Sequence, residues 1–239
     1  MKKRFWNWIK NDESEERELR IDGVIGDGDT WFEDSIQPKT FRNELNSGTG
    51  NITVWINSFG GDVFAASQIY TMLKEYKGNV TVKIDGIAAS AASVIAMSGN
   101  QIKMSPTSIL MIHDPSTFAI GNSDEMKAAI RMLDEIKESI VTAYEIKTKL
   151  PREKIAKMMS AETWLSATKA VELGFADEIM YSEGETPETE DKDDGIIYSR
   201  QAVTNCLLEK LNRRYKIDNR TDHKQLYKRY KLLPRQTLK

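Results

Sequence analysis

The chain has 239 residues, enough for one full hydrophobic core plus an appendage. Hydrophobic residues make up 40% and charged residues 29%, and the formal net charge of −2 is too small to argue for nucleic acid or membrane binding by the chain as a whole. A single cysteine, Cys206, excludes an internal disulfide and points to a reducing compartment.

From the N-terminus, residues 1–17 read as a polar arm with isolated aromatics, exposed or docked on a neighbour. The basic start Met1-Lys2-Lys3-Arg4 meets Lys10, Asn11 and Asp12 too soon for a signal peptide, so a cytoplasmic protein is expected. Residues 18–181 alternate strand-like and helix-like patterns. Glu18–Ile25, Ile52–Ile56, Val80–Ile84 and Ile109–Ile112 are short and rich in Val and Ile, as strands are. Between them Val63, Ala66, Ile69, Tyr70 and Leu73 repeat at helical spacing. The longest helix is expected from a cap at Ser123 to Leu150, with Asp124 and Glu125 in its first turn and Pro151 stopping it. A last helix, Ala167–Leu173, ends at Gly174. Strands alternating with crossover helices imply an α/β fold with mainly parallel pairing.

Two opposed charge blocks follow. Residues 182–195 form a polar linker with seven acidic residues against Lys192, a formal charge of −6. Residues 196–239 hold twelve basic residues against three acidic ones, a formal charge of +9. Val203, Leu207, Leu208, Leu211 and Tyr215 are spaced for an amphipathic helix in this tail. A solvated appendage is favoured there over a nucleic-acid contact, an acidic protein partner or a self-cleaved piece.

The chemistry-bearing residues are few. Of two histidines, His223 lies in the basic tail, which leaves His113 as the candidate general base near neutral pH; a structural histidine at a strand end fits the same place. The segment Gly86-Ile87-Ala88-Ala89-Ser90-Ala91 follows a strand and opens a helical run of small residues. Ser90 at that junction suits a nucleophile, and the same small residues suit a tight helix–sheet contact. Asn57-Ser58-Phe59-Gly60-Gly61-Asp62 can expose backbone N–H groups for an oxyanion, or serve as a plain β-to-α turn or weak phosphate cradle. All three follow strands, where parallel α/β sheets gather their sites.

In order, Asn57-Ser58-Phe59-Gly60-Gly61, Gly86-Ile87-Ala88-Ala89-Ser90 and Met111-Ile112-His113-Asp114-Pro115 resemble the three signature segments of the ClpP peptidases. The resemblance spans about residues 50–180 and includes Trp164-Leu165-Ser166-Ala167 and Ala170-Val171-Glu172-Leu173-Gly174. Gly23-Val24-Ile25-Gly26 and Trp31 look more like the phage and prophage branch, the ClpP-related head maturation proteases. The resemblance implies a serine endopeptidase of ClpP/crotonase-like fold, a repeated β-β-α superhelix with a protruding handle helix. Carried over by position, Ser90 is the nucleophile, His113 the base and Glu162 the third member, where the housekeeping enzymes have Asp. The backbone N–H groups of Gly61 and Ala91 are the oxyanion donors; Ala91 and Phe59 stand where the family usually has Met and Pro.

Heptameric rings, often stacked in pairs across the Ser123–Leu150 helix, are also implied, although a helix lying on its own sheet carries the same stripe. The implied substrates are scaffold or capsid precursors, in the host cytoplasm or the phage prohead. Neither cofactor nor metal is implied, and ATP dependence would need a separate unfoldase. Alternatives are a housekeeping-like Clp proteolytic subunit, a crotonase-type acyl-CoA enzyme, a lysine-dependent signal-peptide peptidase and a catalytically inactive ring component.

Overall fold

The computed structural model describes residues 4–9, 17–26 and 36–181, all within one compact unit, Met1–Glu185. Trp31, the linker and the tail with Cys206 and His223 lie outside the described residues.

Among the described residues, fourteen elements run in the order β1 (Trp6–Ile9), β2 (Arg17–Ile25), α1 (Ile36–Leu45), β3 (Ile52–Gly61), α2 (Val63–Lys74), β4 (Val80–Ala89), α3 (Ala91–Ala96), β5 (Gln101–Met104), β6 (Ile109–Ile112), α4 (Ser123–Thr148), α5 (Arg152–Ser160), β7 (Thr163–Ser166), α6 (Ala167–Glu172) and β8 (Glu178–Ile179). The strands form one mixed sheet, β1-β2-β3-β4-β5-β8, with β6 pairing β4 and β7. The β2–β3, β3–β4, β4–β5, β4–β6 and β5–β8 pairs are parallel, as the crossover pattern implies; β1–β2 and β6–β7 are antiparallel.

The strand β4 divides the sheet. Its first half, Thr81–Ile84, pairs β5, and its second, Ile87–Ala89, pairs β6. Asp85 and Gly86 sit at the branch. One face of the sheet carries Leu19, Ile21, Val54, Ile56, Val82, Ile84, Ile102 and Met104, all buried with α2 and α3 residues in a single core.

The structure corrects several expectations. The arm at 1–17 is not simply exposed: Trp6–Ile9 adds an edge strand to β2, and Phe5 and Trp6 are buried. The ring of Trp6 meets Phe5 and Phe41 edge-on, and its indole N–H donates to Glu44 at 2.8 Å. An apolar face strong enough to bury two aromatics overrides the polar surroundings that suggested an arm. β3 and β4 also run five residues past the expected ends at Ile56 and Ile84, because β2 and β6 supply partners there.

The cap of α4 is Asn122, one residue before Ser123. Its side chain accepts the N–H groups of Asp124 and Glu125, while the Glu125 carboxylate accepts the N–H of Asn122. This reciprocal pair satisfies more orphan donors than a Ser123 hydroxyl could. The helix stops at Thr148, with Lys149 left-handed (φ 61°), since Pro151 disfavours helical geometry just before it. Its buried residues, Ile140, Val141 and Tyr144, all lie in the C-terminal half; Ile130 and Met132 are exposed. The final helix α6 ends at Glu172, one residue before the expected Leu173.

Candidate active site

Ser90 follows the last residue of β4 and caps α3. Its backbone has φ 56° and ψ −126°, a conformation outside the wells an L-residue prefers. Holding a non-glycine residue there costs on the order of 1–3 kcal/mol, so the surroundings must over-determine it. One such restraint is the Ser90 N–H, which donates to the carbonyl of Met111 at 3.0 Å and continues the β4–β6 ladder past the Ala89–Met111 pair. His113 lies two residues beyond Met111, so the parallel register itself brings base and serine together. His113 Nε2 is 2.7 Å from Ser90 Oγ, and both residues are half-buried.

The end of β3 packs against this pair. A Cβ added at Gly60 would sit 2.8 Å from Ser90 Cβ and 3.0 Å from the nitrogen of Ala91, so only a glycine permits the approach. Gly61 has φ 151°, and a Cβ there would collide with the Ile25 carbonyl oxygen. Gly61 pairs Ile25 while the N–H of Asp62 donates to the Ile25 carbonyl at 2.9 Å. In a parallel ladder that arrangement turns the N–H of Gly61 away from β2, towards β4. Ser58 pins the strand end: its hydroxyl donates to the Gly23 carbonyl and accepts the Gly60 N–H at 3.0 Å. Asp62 then caps α2, accepting from the N–H groups of Phe64 and Ala65. The glycine segment expected as a turn is therefore the end of a strand.

Glu162 stands at the corner between α5 and β7 with φ 52°, and its N–H donates to the Met159 carbonyl at 3.0 Å. The antiparallel rungs Met111–Trp164 and Ile112–Thr163 make Glu162 the position opposite His113 on the next rung. Its carboxylate accepts the Trp164 indole N–H at 3.4 Å.

Two side-chain groups around the site escaped the sequence reading. The Lys137 ammonium lies 2.8 Å from Asp114 Oδ1 and donates to Oδ2 at 3.0 Å. It also donates to the Ser160 hydroxyl, which itself donates to Asp114 Oδ2 at 2.9 Å. This cluster ties the residue after His113 to α4 and α5. The second group joins Ser93 on α3 to Tyr144 on α4. Only the helical spacing of Ser93 from Ser90 offered any signal for it.

The Clp protease family matches residues 15–183, well over half of the chain. The chain belongs to the Clp protease family. Among its relatives are proteins named ATP-dependent Clp protease proteolytic subunit, each 30% identical. The one from Deinococcus radiodurans aligns over 131 residues, 54% of this chain and 64% of the relative. Those from Porphyromonas gingivalis and Bacteroides fragilis align over 132 residues, 54% of this chain and 60% and 64% of the relatives. The chain thus spans less than two thirds of the length of these Clp relatives. Among the described residues, no helix is long and apolar enough to cross a membrane.

Proposed function

We propose that the chain is a serine endopeptidase in which Ser90 attacks, His113 transfers the proton and Glu162 steadies the imidazolium. The observation that carries this reading is the 2.7 Å contact between Ser90 Oγ and His113 Nε2 on a strained serine backbone. As Oγ bonds to the scissile carbonyl carbon, its proton passes to His113 Nε2. The carbonyl oxygen becomes an oxyanion held by the N–H groups of Gly61 and Ala91. Breaking the C–N bond returns the proton to the leaving amine, and water activated by His113 then hydrolyses the acyl-enzyme.

A fluorophosphonate probe tests this directly. The purified protein should be labelled covalently, and the label should vanish in Ser90→Ala and fall steeply in His113→Ala. Labelling that survives Ser90→Ala would defeat the assignment. The same reading makes Glu162 an orienting group, so Glu162→Gln should lower kcat about 10³-fold while leaving KM within a few-fold. Glu162→Asp, with its shorter reach, should retain more activity than Glu162→Gln in steady-state assays on a fluorogenic peptide.

The fine reading is a ClpP-like heptameric ring, of the kind that stacks in pairs, acting as a phage or prophage head maturation protease on scaffold and capsid precursors. The exposed N-terminal half of α4, with Ile130 and Met132, suits a handle that meets another copy. The Gly23–Gly26 opening supports the phage branch. A second reading rests on the names of the relatives: an ATP-dependent unfoldase would then feed the site. Degradation of an unfolded protein without ATP, set against degradation of a folded one with an added unfoldase, separates the two.

A further inference from the structure

The carbonyl of Ser90 is unusually well held. It accepts the N–H of Ser93 at 2.9 Å, the N–H of Val94 at 3.3 Å and the hydroxyl of Ser93 at 2.6 Å. The hydroxyl of Ser93 also lies 2.8 Å from that of Tyr144, in a fully buried pair. Counting protons leaves one arrangement. A carbonyl can only accept, so the single Ser93 hydroxyl proton goes to Ser90, and Tyr144 must then donate to Ser93 Oγ. The phenol has to stay neutral to do so, and burial pushes its ionisation up. Its ring is fixed edge-on against Phe175 at 5.6 Å.

The Ser90 carbonyl and the Ala91 N–H belong to one planar, trans peptide unit and point in opposite directions. Whatever anchors that carbonyl therefore aims that N–H. We propose that Tyr144 and Ser93 are positioning residues that lock the Ser90–Ala91 peptide, holding the Ala91 N–H on the oxyanion of the transition state. The proposal rests on the peptidase reading above, and adds that a residue of α4, 51 positions from Ser93, helps set the oxyanion donor. Hydrogen bonds in series polarise one another, so the chain also strengthens the Ala91 N–H as a donor. Ser93 holds the peptide directly, whereas Tyr144 acts only through Ser93.

The experiment uses the full chain with a fluorogenic peptide, alongside a peptide boronate. Ser90 Oγ adds to the boron as its proton passes to His113, and one hydroxyl oxygen of the anionic tetrahedral adduct occupies the oxyanion position. Tyr144→Phe and Ser93→Ala should each lower kcat about tenfold at unchanged KM, the share of an oxyanion donor's effect that misalignment removes. Boronate affinity should fall in parallel. Because Tyr144 works through Ser93, the double variant should lose no more than Ser93→Ala alone. Full kcat in both single variants, or a rise in KM with kcat unchanged, would overturn the proposal, and so would losses that multiply in the double variant. Full hydrolysis by Ser90→Ala would instead overturn the peptidase reading beneath it.

Discussion

Replacing Ser90 by alanine is expected to lower kcat for peptide hydrolysis by about 10⁵–10⁶-fold, because the nucleophilic hydroxyl is lost and His113 is left with no attacking group to deprotonate. The fold should survive. Alanine keeps the Cβ that Gly60 packs against and all the backbone bonds of residue 90, including those to Met111 and from Ser93 and Val94. Ser90→Gly separates chemistry from strain. Glycine reaches φ 56° and ψ −126° without steric penalty, so this equally inactive variant should resist urea about 1 kcal/mol better than Ser90→Ala. Equal unfolding midpoints for the two variants would mean that residue 90 stores no strain. Steady-state kinetics and urea titration of the same preparations give both readings.

Gly61→Ala should be damaging in a different way. Its Cβ cannot coexist with the Ile25 carbonyl, and φ 151° is a glycine conformation. Either β2 and β3 part at the Ile25–Gly61 rung, or the backbone rotates and carries the Gly61 N–H off its present line. Expected losses are about 10²–10³-fold in kcat and about 2–4 kcal/mol in stability. Gly50→Ala is the matched control. Gly50 has φ 93° with nothing within 4 Å of an added Cβ, so that change should cost about 1 kcal/mol of strain without touching catalysis. If Gly61→Ala behaved like Gly50→Ala, the end of β3 would have no part in the oxyanion site.

The sequence made some of this legible. Histidine scarcity singled out His113, two small-residue segments after strands drew attention to Ser90 and to the Gly60–Gly61 pair, and the family resemblance assigned Gly61 its role. Helix boundaries were close because caps and prolines act locally, although the reciprocal Asn122–Glu125 pair places the cap of α4 one residue before Ser123. What escaped was non-local. Asn57–Gly61 has weak strand propensity and is extended because β2 lies beside it; a single sequence does not print the neighbour. Trp6–Ile9 was hidden among charges, and its burial depends on Phe41 and Glu44 far along the chain. The Ser93–Tyr144 bond and the Lys137–Asp114–Ser160 cluster join residues 51, 23 and 46 positions apart, which no local pattern announces.

The branching of the sheet at Asp85 and Gly86 has a bearing on how the protein fails. One continuous strand anchors the scaffold through Thr81–Ile84 and delivers the reactive hydroxyl from its far end. Amide protons at Val82 and Ala88 should therefore exchange with solvent only when the molecule opens globally. Warming would then abolish turnover and secondary structure at one temperature, with no dead-but-folded stage between them.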